Sequence, residues 1–146
     1  MEHTVTTASP SDSPTGSPTA ASTDAPATFL DRVRRRFAAG PSDGRLGPTV
    51  DAARALELVR AGATLLDVRE NSEWTSGHAP AAMHVPLARI DSATRRLRTD
   101  RPVVVVCASG MRSRTAATHL RGLGFDATSL SGGMAMWQRA GGEVRR

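Results

Sequence analysis
The chain has no lysine and no tyrosine, a single cysteine, three phenylalanines and two tryptophans in 146 residues. One cysteine excludes an internal disulfide framework and a zinc site built from thiolates alone. So few aromatics leave no base-stacking platform, and nucleic acid is not an expected partner. No apolar run approaches the roughly 20 residues that a membrane-spanning helix needs, so no transmembrane segment is read. The first residues, MEHTVTTASPS, hold neither a basic stretch nor an apolar one. No secretory signal is read there, and a reducing cytoplasm is the expected compartment. Because lysine is absent, all 19 basic residues are arginine; against 14 acidic residues they leave a net charge of +5. That excess permits anionic ligands without requiring a polyanion.

What is present divides the chain into four stretches. Residues 1–28 are rich in Ser, Thr, Pro and Ala, with no cluster of bulky apolar side chains, and read as a disordered tail. Residues 29–39, FLDRVRRRFAA, form a short basic amphipathic helix on a helical wheel. Phe29, Leu30, Val33 and Phe37 share one face, and Arg32, Arg34, Arg35 and Arg36 lie off it. Such a helix docks on its own domain, on a membrane surface, or on an acidic protein partner through residues 29–36. Residues 40–48 read as a linker, and 49–144 as the folded domain.

Within that domain strands and helices alternate. Asp51 is placed to cap a helix over Ala52 to Arg60, with Gly62 as its stop. Thr64 to Val68 is a short buried strand, followed by a helical turn over Glu70 to Trp74 and a loop at Gly77 to Pro80. Met83 to Val85 reads as a strand, and Ala88 to Leu97 as a helix with Ile90, Ala93, Thr94 and Leu97 inward. Val103 to Val106 is the most strand-like run and is expected at the sheet centre. A helix over Ser113 to Leu123 turns Ala116, Ala117, Leu120 and Leu123 to the core; a strand at Ala127 to Leu130 and a helix opened by Gly132-Gly133 follow. This order predicts an α/β fold, with a parallel sheet covered by helices on both faces.

The chemistry concentrates where the valine strand ends. Cys107 follows it directly, and CASGMR closes a six-member loop before a helix. Ser109 and Gly110 allow a tight backbone whose N–H groups converge as an anion-binding nest. Arg112 adds a cation. Donors and positive charge at a helix start favour the thiolate, so Cys107 is the candidate nucleophile. The histidines, His3, His78, His84 and His119, are not paired at ligand spacing, and no metal site is read from them.

LLDVRENSEWTSGHAPAAMHVPL, then CASGMRS, then Leu130-Ser131-Gly132-Gly133 leading to Trp137, resemble the single-domain rhodaneses over about residues 49–144. The resemblance implies a rhodanese-like three-layer sandwich with a central, mostly parallel five-stranded sheet. It implies a sulfurtransferase needing no cofactor. Cys107 would take a sulfane sulfur from a small anionic donor, thiosulfate or a low-molecular-weight persulfide. The resulting persulfide would pass its sulfur to an external small-thiol or protein-thiol acceptor. By the same resemblance Ala108, Ser109, Gly110, Met111, Arg112 and Ser113 bind the substrate, and Asp67, Arg69, Glu73 and His78 are structural residues beside the site. Ala108 stands where many members have arginine, which weakens the match to the sulfonate end of thiosulfate. A phosphatase-like alternative fits less well, because its cysteine loop is one residue longer. A second alternative is a non-turnover relay or regulatory module docking a partner through residues 29–36.

Overall fold
The computed structural model describes residues 44–146. The tail 1–28, the amphipathic segment 29–39 with its expected docking role, and residues 40–43 lie outside them. Among the described residues the elements run β1 (Thr49–Val50), α1 (Ala52–Arg60), β2 (Thr64–Asp67), α2 (Asn71–Thr75), β3 (Ala82–His84), α3 (Ile90–Ala93), β4 (Val103–Val106), α4 (Met111–Gly122), β5 (Ala127–Leu130) and α5 (Gly133–Arg139). None of the described helices is long and apolar enough to cross a membrane.

The five strands form one sheet in the order β1-β5-β4-β2-β3, and every pairing is parallel. All four β4 valines are fully buried, as expected of the central strand of a sheet covered on both faces. Side chains alternate across a strand, so these valines serve two cores. Val104 and Val106 join Leu65 and Leu130 under residues of α1 and α5. Val103 and Val105 join Leu66 and Ala127 under Ala116, Ala117 and Leu120 of α4, with Ala93 and Leu97 alongside. The register sets Asp67 of β2 opposite Val106 of β4, so these two strands end level.

That level end matters because the chain leaves β2 toward β3 on one side and returns as β4 on the other. Strand order reverses there, and the crevice at the carboxyl ends of β2 and β4 is where open parallel sheets bind their ligands. Cys107 follows β4, and Val68 and Arg69 follow β2.

Local signals were legible at several ends. Asp51 accepts the Arg54 N–H at 2.7 Å as an N-cap, and Gly62 follows α1 with φ +103°. Other boundaries differ. The helix read over Ala88 to Leu97 is a 3₁₀ turn at Leu87–Arg89 running into the short α3. The hydroxyls of Ser92 and Thr94 bond back to Arg89 O and Asp91 O at 2.7 Å, competing with helix continuation. Ala93 and Leu97 are buried, but Ile90 and Thr94 only half so. Helix α4 starts at Met111, two residues before Ser113, because its N-cap Gly110 turns into the left-handed region, φ +105°. Leu123 is 51% exposed instead of packed; it lies past the last helical turn, and Phe125 fills the core in its place.

Residues 45–48, assigned by sequence to the linker, pack on the domain. Leu46 is buried and its N–H donates to Asp126 Oδ1 at 2.8 Å; Ser129 N–H donates to Pro48 O at 3.0 Å. At the other end Arg145 exchanges two backbone hydrogen bonds of 2.8 Å with His78.

Val105→Ala removes two buried methyl groups from the centre of the sheet. We expect it to cost about 2 kcal/mol of unfolding free energy, read as a lower urea midpoint at an unchanged slope.

Candidate active site
Cys107 is fully buried at the junction of β4 and α4. Gly110, in the left-handed conformation that glycine adopts freely, folds the loop back over the sulfur and donates its N–H to Sγ at 3.0 Å. A Cβ at Gly110 would stand 3.3 Å from Gly132 N, so the loop also lies close against the chain entering α5. Three uncharged members of the loop face outward: Ala108 and Ser109 are exposed, and Met111 projects into solvent at 77% exposure.

Ser113, in the first turn of α4, is fully buried. Its hydroxyl donates to Gly110 O at 3.1 Å, lies 3.5 Å from Cys107 Sγ, and lies 2.8 Å from Ser129 Oγ of β5. Burial pushes the Cys107 thiol up. Hydrogen bonds from the Ser113 hydroxyl and from the N–H groups of Ser113, Gly110 and Ser109 outweigh it, and the pKa falls below the usual thiol value.

Two ion pairs flank the loop. Arg112 closes a two-pronged bridge onto Glu73 of α2, with NH1 2.6 Å from Oε2 and NH2 2.8 Å from Oε1. Oε2 also accepts the Glu70 N–H at 3.1 Å, so one carboxylate caps α2 and clamps the loop. The Arg112 hydrogen bonds pull the Glu73 pKa down from 4.5 to about 2, against a smaller upward push from burial. Asp67 and Arg69, both buried, pair through Arg69 Nε and NH2, the shortest contact being 2.7 Å. The same guanidinium donates to Glu73 O at 3.2 Å and Gly77 O at 2.8 Å, tying off carbonyls at and beyond the end of α2.

Trp74 lies between two imidazoles. His78 stacks on it at 3.8 Å and His84 at 4.5 Å, within 14° of parallel. A carbonyl only accepts, so His78 Nδ1 donates to Trp74 O at 3.0 Å and His84 Nε2 donates to Arg69 O at 2.8 Å. His119 pairs with Asp91 at 2.7 Å on the outside of the domain.

The structure thus brings Cys107, Ser109, Gly110, Arg112 and Ser113 together, with Glu73, Asp67, Arg69 and His78 in the adjoining layer. Ala108 and Met111 stand at the rim. Sequence reasoning missed two contacts. The Arg112–Glu73 bridge joins residues 39 positions apart, and only matching an unpaired arginine to an acidic residue beside the other strand end would suggest it. Ser129 carried no signal beyond being a hydroxyl in a strand of otherwise core-facing residues.

The fold and site define a parallel α/β domain that holds a buried cysteine in a loop at the switch point of its sheet. The sequence model of the family "Rhodanese-like domain" matches residues 51–140. A thiosulfate sulfurtransferase GlpE of Pseudomonas syringae pv. syringae is 38% identical over 86 residues, which cover 58% of this chain and 81% of that protein. The YqhL protein of Bacillus subtilis is 38% identical over 93 residues, 61% of this chain and 71% of YqhL. Among solved structures, a rhodanese-related protein from Thermoplasma volcanium matches with a TM-score of 0.61 and 29% identity, over 68% of this chain and 98% of its own. The Rhodanese-like domain of the Alr3790 protein from Anabaena sp. matches with a TM-score of 0.61 and 31% identity, over 68% and 80%. The chain belongs to the rhodanese-like domain family.

Two predictions follow from this geometry. Glu73 has its folded pKa depressed, so its bridge stabilises the fold fully above about pH 4.5 and loses that contribution as pH falls toward 2. The bridge is partly solvated, and Glu73→Gln should therefore cost only about 1 kcal/mol at neutral pH. In thermal melts the gap between the two proteins should close between pH 4.5 and 2. Gly133 has φ +61°, and a Cβ there would meet Ala108 O at 2.3 Å and Cys107 O at 2.4 Å. Gly133→Ala should destabilise by more than about 2 kcal/mol and displace the loop, read as a lower melting temperature and slower alkylation of Cys107.

Proposed function
We propose that the chain is a rhodanese-type sulfurtransferase carrying sulfane sulfur on Cys107. The observation that carries this reading is the Cys107 sulfur itself: buried, bonded by Gly110 N–H at 3.0 Å, and lowered in pKa by donors from Ser109, Gly110 and Ser113. Relatives named as thiosulfate sulfurtransferases support it.

The Cys107 thiolate attacks the terminal sulfur of the donor. A bond forms between Sγ and that sulfur, and the donor's own S–S bond breaks, its electron pair leaving with sulfite from thiosulfate or with a thiolate from a small persulfide. The Cys107 persulfide is an anion, and the N–H groups of the loop Ala108 to Arg112, with the Ser113 hydroxyl, are suited to hold its outer sulfur. An acceptor thiolate then attacks that sulfur and restores Cys107. The acceptor is external, because the chain has no second cysteine with which to expel the sulfur as a disulfide. A reducing cytoplasm would keep the thiol available.

Asp67, Arg69, Glu73 and His78 act in this reading by holding the loop and α2 in place. The buried thiol favours a donor that presents a single slender atom. The uncharged Ala108 and Met111, with Arg112 already bound to Glu73, favour a small persulfide over the dianionic thiosulfate.

Incubation with glutathione persulfide or thiosulfate should raise the intact mass by one sulfur atom. Cys107→Ser should gain nothing, and added thiol should discharge the wild-type protein. Absence of any sulfur gain from either donor, or a gain that persists in Cys107→Ser, refutes the proposal.

A further inference from the structure
We propose that Ser129 is a positioning residue for the Cys107 thiolate, donating its hydroxyl hydrogen to Ser113 Oγ so that the Ser113 hydrogen is free to turn to the sulfur. This rests on the reading of Cys107 as the reacting group.

Ser129 lies on β5 opposite Val105 of β4. It alternates with Thr128 and so shares the face of Ala127, which packs in the α4 core beside Val103, Val105 and Cys107. A hydroxyl in such an apolar layer costs free energy unless it is bonded. Ser129 is 1% exposed, and among the described residues its hydroxyl bonds that of Ser113 alone, at 2.8 Å.

Counting hydrogens fixes the direction. The Ser113 hydroxyl has one hydrogen and three neighbours: Gly110 O at 3.1 Å, Cys107 Sγ at 3.5 Å and Ser129 Oγ at 2.8 Å. If Ser113 donated to Ser129, the Ser129 hydrogen would be left without an acceptor in a buried layer. With Ser129 as donor every position is filled. In the thiol state Ser113 receives hydrogens from Ser129 and from the Cys107 S–H, and gives its own to Gly110 O.

On ionisation the thiol proton passes to solvent base and the sulfur becomes an acceptor. Ser113 then rotates its hydrogen from Gly110 O to Sγ. Gly110 O is not orphaned, because it also accepts the Arg114 N–H at 3.2 Å. Ser129 donates to Ser113 in both states, and this polarises the Ser113 hydroxyl into a stronger donor.

The test uses the pH dependence of Cys107 alkylation by iodoacetamide, which needs no sulfur donor and reports on the one thiol in the chain. Ser129→Ala should raise the midpoint enough to cut the thiolate fraction at neutral pH roughly threefold, and Ser113→Ala should cut it further. Ser129→Thr, which keeps a hydroxyl, should restore most of the loss. In a Ser113→Ala background the Ser129→Ala change should have no further effect, because its path to sulfur is gone. The proposal is overturned by a wild-type midpoint in folded Ser129→Ala, or by a shift that persists undiminished in the Ser113→Ala background. A folded Ser129→Thr that behaves like Ser129→Ala also overturns it. If Ser129→Thr does not fold, the double-variant comparison decides by itself. Sulfur loading that fails while this ordering holds would refute the sulfurtransferase reading and leave the Ser129 role standing.

Discussion

The site depends on a close approach between two backbones. Met134 N–H in α5 donates to the Cys107 carbonyl at 2.8 Å, and the chain between them has no room for a side chain at Gly133. With that carbonyl bound to α5 and the Ala108 carbonyl packed against Gly133, the loop presents its N–H groups to the sulfur. The last helix of the fold therefore determines the polarity of a loop some 25 residues earlier. Its own place is set by burial: Met134 and Trp137 sit in the same core as Val104 and Val106, which lead into Cys107. One strand positions the thiol and, through its other face, the helix that shapes the thiol's surroundings.

The ion pairs are better understood as positioning than as sources of stability. A buried pair such as Asp67–Arg69 gives back much of its attraction in desolvation. What Arg69 does is connect: Asp67 at the end of β2, Glu73 O within α2 and Gly77 O beyond it meet on one guanidinium. Helix α2 has five residues and no buried side chain, too little to hold itself in place. It is kept there by Arg69, by Trp74 stacked between His78 and His84, and by the Glu73 cap. Held in this way, it presents Glu73 to Arg112 at the far side of the crevice.

Much of this was legible in the sequence, and the reasons differ by residue. Four consecutive valines can hardly be other than a strand buried on both faces, and the lone cysteine after them marks the site. Asp51 and Gly62 gave the ends of α1 through local chemistry alone. Local pattern places the start of α4 two residues late because Ser113 resembles a helix opener, whereas the turn is made by Gly110. The hydroxyl of Ser113 does not cap the helix but faces the sulfur, a choice made by tertiary contact. Periodicity assigns Leu123 to the core because it does not register that the helix has already ended. The Arg112–Glu73 bridge and the Ser113–Ser129 pair depend on which strands become neighbours, and no local pattern encodes them.

The same contacts bear on which cysteine chemistry suits the loop. Transfer from a phosphate ester expels an alkoxide, which needs a general acid to protonate it. Among the described residues, the carboxylate bonded to the loop is Glu73, and Arg112 holds it near pKa 2, ionised at any ordinary pH and unable to give a proton. Sulfite and thiolates leave as stable anions and ask for no proton. What sulfur transfer requires is a thiolate, donors for a second anionic sulfur, and a counter-cation that does not itself capture the substrate. Gly110 N–H and the Ser113 hydroxyl supply donors, and Arg112 stays charged while its hydrogen bonds are spent on Glu73. A site with abundant donors, and with the carboxylate bonded to its loop pinned in the ionised form, is matched to passing a neutral sulfur atom from one soft nucleophile to another.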